Sequence, residues 1–439
     1  GPDGDVRAAV AVGVGQQVAD DPFDVSAVGR HAIVGAGIAG LHLALYLQQR
    51  GVDATIITDR TPEELAKGRL LNTVAHHHTT LAREEALGVN HWSDPNQHYY
   101  YHDHWLNIPG SPLNFSGHFS KPSRAVDYRI YLPALMEDFT DRGGVIEYGR
   151  IEEDDIAALV DRFDLLVVST GKGPLGAIFS HDQDESPFQQ PQRRLSVGLY
   201  SGVRHTDPMN VTLSLSPGAG ELIVIPTITF DGIGTALLME NVPGGPLEQT
   251  VTTKYDDGPA AFRQIVLEGL EQYHPAVYDR IDTTRFDLCQ PNDLLQGGLV
   301  PTVRKTSVEF DNGKFAIALG DVHVTVDPVN GQGANIASYA AFVMGEEIMK
   351  APSLDRRFVE HVDMARNDRC LGAARWSNLM MPPPSEEMQM LLGAMSQNKA
   401  LCDEFTENFN WPERQWDNLS SPTRIRSWIE RSAPARAAE

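Results

Sequence analysis

The chain has 439 residues, past the ~250–300 at which single cores usually stop growing, so two or more domains are expected. Hydrophobic residues make up 41% and charged residues 22%, an ordinary globular balance, and no stretch approaches the ~18 consecutive apolar residues that span a bilayer. A formal net charge of -23 repels phosphate backbones and anionic lipid, which argues against nucleic acid and membranes as partners.

The chain opens on Gly1-Pro2, which reads as a scar of tag removal, and 1–30 reads as an extension with no basic or strongly apolar run of a signal peptide. Ala32-Ile33-Val34 then leads into Gly35-Ala36-Gly37-Ile38-Ala39-Gly40, an amphipathic stretch to Arg50, and a second apolar run, 52–57, ending in Thr58-Asp59-Arg60. This is strand, glycine-rich turn, helix and strand, one βαβ unit. Gly35 suits the tight turn, Gly37 lets backbone approach a pyrophosphate, and Gly40 lets the helix pack on the strand. The diphosphate then meets the N–H groups of Ile38 and Ala39 at a helix N-terminus, and Asp59 is placed to accept from ribose hydroxyls.

Further along, 81–87 reads as helix, 91–120 as loops or short strands, 127–142 as helix, and 165–168 as a buried strand. Between 195 and 239 four β-rich segments are separated by Gly218-Ala219-Gly220 and Asp231-Gly232, the signals of an antiparallel sheet. A helix is expected over 259–273, a buried strand over 314–319 and a long helix over 333–349. Beyond 351 the pattern is helical, with a break at Pro382-Pro383-Pro384.

The three cysteines, Cys289, Cys370 and Cys402, make neither a CxxC pair nor an even disulfide set, which points to a reducing cytoplasm. His76-His77-His78 and His102-Asp103-His104 hint at a metal, but adjacent ligands on one element rarely converge tetrahedrally, so no metal is expected. No Gly-x-Ser-x-Gly elbow supports triad hydrolysis.

A second glycine signature, Gly320-Asp321 followed by Pro328-Val329-Asn330-Gly331-Gln332-Gly333-Ala334-Asn335, ends a strand and opens a helix. Here the chain resembles the flavoprotein hydroxylases. That resemblance implies FAD, with Asp321 on the ribityl chain and Pro328, Gly331, Gly333, Ala334 and Asn335 beside the isoalloxazine. The runs 69–76, 122–129, 295–298, 325–328 and 404–410 narrow the similarity to the oxygenase components of two-component styrene and indole monooxygenases, over 31 to about 428. As aligned with that family, Asn72, Val74, His76, Tyr99, His102 and Ser123 are the styrene-type choices.

The resemblance implies an α/β fold. A Rossmann-like FAD domain of the hydroxylase type would span 31–190 and 288–350, with an antiparallel β-sheet substrate domain over 191–287 and a helical C-terminal region over 351–439. It assigns Arg60, Arg69, Leu70 and Arg129 to FAD, with Arg124 as a further arginine of the same set. Asn72 and Thr73 would orient a C4a-(hydro)peroxyflavin, and Val74, His76, Tyr99, His102, Ser123 and Val329 would hold the substrate. The implied reaction is epoxidation of the vinyl group of styrene with O2 and reduced FAD from a separate NADH-dependent flavin reductase, in a cytoplasmic protein able to dimerise. An indole epoxidase, a single-component NADH-dependent aromatic hydroxylase and a non-catalytic flavin-fold protein are the alternatives.

Overall fold

The computed structural model of the chain describes residues 29–433, so the expected extension over 1–30 lies outside the described residues except for Gly29 and Arg30. Six strands form one sheet in the order Ser307–Glu309, Phe315–Ala318, Leu165–Val168, His31–Val34, Ala54–Thr58, Val145–Tyr148. All neighbours are parallel except Ser307–Glu309, which returns antiparallel beside Phe315–Ala318. The three central strands read HAIV, LLVV and FAIA and are buried on both faces, as a covered parallel sheet requires.

Alternation sorts their side chains between two cores. Ile33, Val167 and Ile317 face the helices Ile38–Gln48 and Gly333–Lys350, whereas Ala32, Val168 and Ala318 face the helix Ile156–Arg162. The helix Tyr128–Asp141 starts where expected because Asp127 caps it, accepting from the Arg129 N–H at 2.9 Å.

The second sheet has nine strands. Arg194–Ser201, Gly232–Asn241, Gly220–Thr229 and Val211–Ser216 are the expected antiparallel segments, in that spatial order. The sheet then continues into Tyr99–Leu106, Leu113–Val126 and Ala75–His76, with Tyr99–Leu106 parallel to Val211–Ser216. Two expectations change here. The 91–120 region holds two long strands instead of loops or short strands, and the sheet is built from two chain segments, so the strands of 75–126 leave the dinucleotide layer to which 31–190 assigned them.

The helices Arg356–Met380, Glu386–Met395, Lys399–Glu407, Pro412–Leu419 and Pro422–Ser432 follow, with the triple proline between the first two. Trp376, Phe405, Phe409 and Trp428 enter the same core as Leu195, Val197, Ile223 and Leu238 of the second sheet. Gly117 makes the close approach possible: a Cβ there would overlap the Thr406 hydroxyl and the Cys402 carbonyl. Gly117→Ala is therefore expected to lower stability by about 1–3 kcal/mol, as overpacked sites do. Gly297→Ala, with open space at its Cβ, should change it by less than about 0.5 kcal/mol. Denaturant unfolding of the two variants checks the difference.

Candidate active site

The carboxyl ends of the parallel strands open onto a cavity of about 390 Å³. Gly37, Ile38 and Ala39 line it beyond the first strand, Arg60 beyond the second, Ser169 and Lys172 beyond Leu165–Val168, and Asp321 beyond Phe315–Ala318. Ligands of open parallel sheets lie at this end. The opposite wall is the second sheet, through Leu195, Val197, Val211, Ile223, Ile225 and Leu238. One space therefore joins a polar end at the parallel sheet to an apolar floor.

Two helices start at the cavity wall, Ile38–Gln48 after Gly37 and Gly333–Lys350 after Gln332. Neither has a side-chain cap, so the N–H groups of both first turns are left for a ligand. Gly35 and Gly40 serve the turn itself and do not line the space. Gly35 has φ +112°, and a Cβ on Gly40 would overlap the Gly35 carbonyl and lie 2.7 Å from Ser169 Oγ. Gly37 differs, because its Cβ would meet only Ser169 O at 4.0 Å.

Asn72, Thr73, Val74, Asp321, Pro328, Val329, Gly331, Gly333 and Ala334 line the cavity, as do Tyr99 and His102. Burial raises the Asp321 pKa against the opposing pull of Lys172. Asn72 Oδ1 and both amide atoms of Asn330 are buried without a partner. Polar atoms left unpaired at a cavity wall are the donors and acceptors that a cofactor would complete.

Other expected residues have different work. Arg129 is buried and ion-paired to Asp127 and Asp293, both at 2.6 Å; burial lowers its pKa, but the two carboxylates outweigh that and raise it. It is off the cavity wall. Arg69 is exposed beside Asp256 at 3.7 Å, and Leu70 is buried with its N–H on Asn292 O at 2.9 Å. Asp59 is exposed next to Arg60, and only Arg60 reaches the wall. Arg124 is fully buried against Glu84.

The histidines shift by one position. His76 is off the wall, with Nδ1 on Glu84 at 2.7 Å and Nε2 on the Tyr128 hydroxyl at 2.8 Å. His77 lines the cavity in its place, because the two-residue strand Ala75–His76 ends there and the backbone turns into the helix His78–Leu87. Its Nδ1 meets Ser123 Oγ at 3.1 Å, so Ser123 stands behind the wall. Burial pushes the His77 pKa down to about 3 and that of His102 well below its ordinary value, so both are neutral near neutral pH. Lys172 lines the cavity outside every sequence motif, and Tyr128, His77 and Phe409 line it although the runs 122–129 and 404–410 and the triple histidine gave them no role there. Among the described residues, no group of three or more His, Cys, Asp or Glu is arranged to hold a metal ion.

Residues 171–280 match the family model described as the styrene monooxygenase A putative substrate binding domain, overlapping the expected 191–287. The styrene monooxygenase StyA of Pseudomonas fluorescens is 50% identical over 416 residues, covering 93% of this chain and 99% of that one. The chain belongs to the styrene monooxygenase family. StyA of a Pseudomonas sp is 49% identical over the same length. Among solved structures, the flavin-dependent brominase Bmp2 superposes with a TM-score of 0.65 at 15% identity, covering 91% of this chain and 98% of that one. PqsL, a probable FAD-dependent monooxygenase from Pseudomonas aeruginosa, gives 0.57 at 11%, covering 90% and 100%. At such identities they bear on the fold alone, and they agree with the α/β flavoprotein architecture read from the motifs.

Glu84 is the hinge of the buried network behind the wall. Burial would raise its pKa, but His76 and Arg124 outweigh it and hold it at about 2. A depressed carboxylate contributes stability above its unfolded value near 4.5 and loses it as pH falls toward 2. Glu84→Gln should cost about 3–5 kcal/mol at neutral pH, because Arg124 is left buried without its counter-charge. The variant should also lose stability less steeply than the wild type across that acid window, which denaturation at stepped pH measures.

Proposed function

We propose that the chain is an FAD-dependent epoxidase acting on the vinyl group of styrene, fed with reduced FAD by a separate NADH-dependent flavin reductase. The observation that carries this reading is the continuity of the cavity, with two uncapped helix N-termini at one end and an apolar sheet at the other. Family membership supports the same substrate, since its curated members are styrene monooxygenases. The three cysteines are all unpaired, which fits the reducing cytoplasm.

Reduced FAD, when bound, would supply the two electrons and two hydrogens with which O2 gives one oxygen atom to the vinyl bond and the other to water. The protein's share is positioning and the exclusion of water. The N–H groups around Gly37, Ile38 and Ala39 would hold the diphosphate, and Asp321 would serve the ribityl chain. Pro328, Gly331, Gly333 and Ala334 would make the wall for the ring system. Asn72 and Thr73 orient the reacting oxygen, while Val74, Tyr99, His102, Val329 and the apolar sheet hold the aryl group. Tyr99, with its pKa raised by burial, stays a protonated phenol, and His77 and His102 stay uncharged, so these three side chains present no ion to a hydrocarbon.

Chemically reduced FAD, mixed with the protein without oxygen and then with aerated buffer containing styrene, should give styrene oxide with no reductase present. Reoxidation at the rate of free flavin, with no epoxide from styrene or indole, would contradict the proposal. Gly37→Val tests the cradle separately: the backbone there is extended and the Cβ position is open, so the variant should fold as the wild type does. Its side chain fills the diphosphate site, and FAD affinity should fall by at least about tenfold, ~1.4 kcal/mol, in a fluorescence titration.

A further inference from the structure

The wall of the second sheet carries a buried charge cluster that the proposed reaction does not use. Alternation puts Glu221 and Glu240 on the face of the cavity-lining Ile223 and Leu238, and the strand register sets the two glutamates directly opposite each other. Like charges in that arrangement repel. Arg193 answers only one of them. Its Nε and Nη2 bind the two Glu221 oxygens at 2.6 and 2.9 Å, and its Nη1 goes to the Gln192 and Met381 carbonyls, both at 3.0 Å.

Glu240 is fully buried, and neither of its oxygens has a donor. The carboxyl that acts on it most strongly is that of Asp327, itself buried. Asp327 opens the turn Pro328–Asn330. Its Oδ1 accepts from the Val329 N–H at 3.2 Å, and its carbonyl accepts from Ser377 Oγ at 3.0 Å. The cluster thus sets three carboxyls against one guanidinium: Glu221, Glu240, Asp327 and Arg193.

We propose that Glu240 is held as the neutral acid and donates a hydrogen bond to the Asp327 carboxylate, latching the substrate sheet to the loop that brings Pro328 and Val329 to the cavity. Two neighbouring carboxyls away from water do not both ionise. One proton between them replaces repulsion with an O–H···O⁻ bond, which is stronger than a neutral one. The Val329 N–H already serves the Asp327 carboxyl, whereas Glu240 has no donor at all. Burial first, then Asp327 and Glu221, push the Glu240 pKa well above its ordinary value. An acid raised in this way holds, when folded, a proton that the unfolded chain releases above about 4.5, so its contribution to stability declines from there up to the folded pKa. Glu240 is on this account a positioning residue, acting through Asp327.

Infrared difference spectra of the full chain near neutral pH test the protonation state. The C=O stretch of a protonated carboxyl should be present in the wild type and lost in Glu240→Gln. Glu221→Gln, which frees Arg193 for Glu240, should lose the same band. A spectrum in which neither variant loses such a band overturns the proposal. The consequence for turnover rests on the epoxidase reading. Glu240→Leu, which removes the donor, should raise KM for styrene about tenfold with a smaller change in kcat, and Glu240→Gln, whose amide still donates to Asp327, should restore it. An unchanged KM in Glu240→Leu would contradict the latch, while absence of epoxide from the wild type would contradict the reaction and leave the infrared result standing.

Discussion

The Asn335 side chain makes four hydrogen bonds in the protein interior, and the walls of the cavity hang on them. Its Oδ1 accepts from the His77 N–H at 3.1 Å and the Thr80 hydroxyl at 2.7 Å. Its Nδ2 donates to the Ala75 and Gly331 carbonyls, both at 2.9 Å. The partners fix the orientation of the amide, since a flip would set oxygen against two carbonyls and NH2 against an N–H. One carboxamide thereby ties the helix of the second glycine signature to the segment that carries Asn72, Thr73 and Val74, some 260 residues away in sequence. With every polar position of its side chain occupied, the amide serves as the fastening of the site.

A second tie runs from the same loop to the C-terminal helices. Gln332 Nε2 donates to the Phe409 carbonyl at 3.0 Å, and the Phe409 ring lines the cavity against Trp376, His102 and His77. The residue that opens the long helix is therefore also the residue that seats an aromatic wall of the pocket. Helices beyond 351 contribute to the site through this contact, although they carry none of the glycine motifs.

Much of the architecture was legible in the sequence because local chemistry set it. The parallel strands are continuous apolar runs, the glycine turns sit between strand and helix, and Asp127 marks a helix start. The strand Tyr99–Leu106 was missed although its burial alternates, because two of its inward positions are His102 and His104 and the hydrophobic alternation is masked. Arg129 could not be judged from sequence either: its partner Asp293 is 164 residues away, and only the fold shows that the guanidinium is already committed. The change from His76 to His77 depends on where a two-residue strand ends, a boundary that no periodicity resolves. Gly37, Ile38, Ala39, Gly331, Gly333 and Ala334 line the cavity, as do Arg60, Tyr99 and His102, whereas Arg69, Arg124, Arg129 and His76 do not.

The central claim is that one continuous cavity takes FAD at its helix-lined end and the substrate against the sheet. A crystal structure of the chain with FAD tests it most directly. The account expects the diphosphate over Gly37, Ile38 and Ala39 and the ring system against Pro328, Gly331 and Ala334, with the remaining space running on to Ile223 and Leu238. Flavin bound outside this cavity, or a ring system filling the apolar floor so that no room is left beside it, would contradict the account.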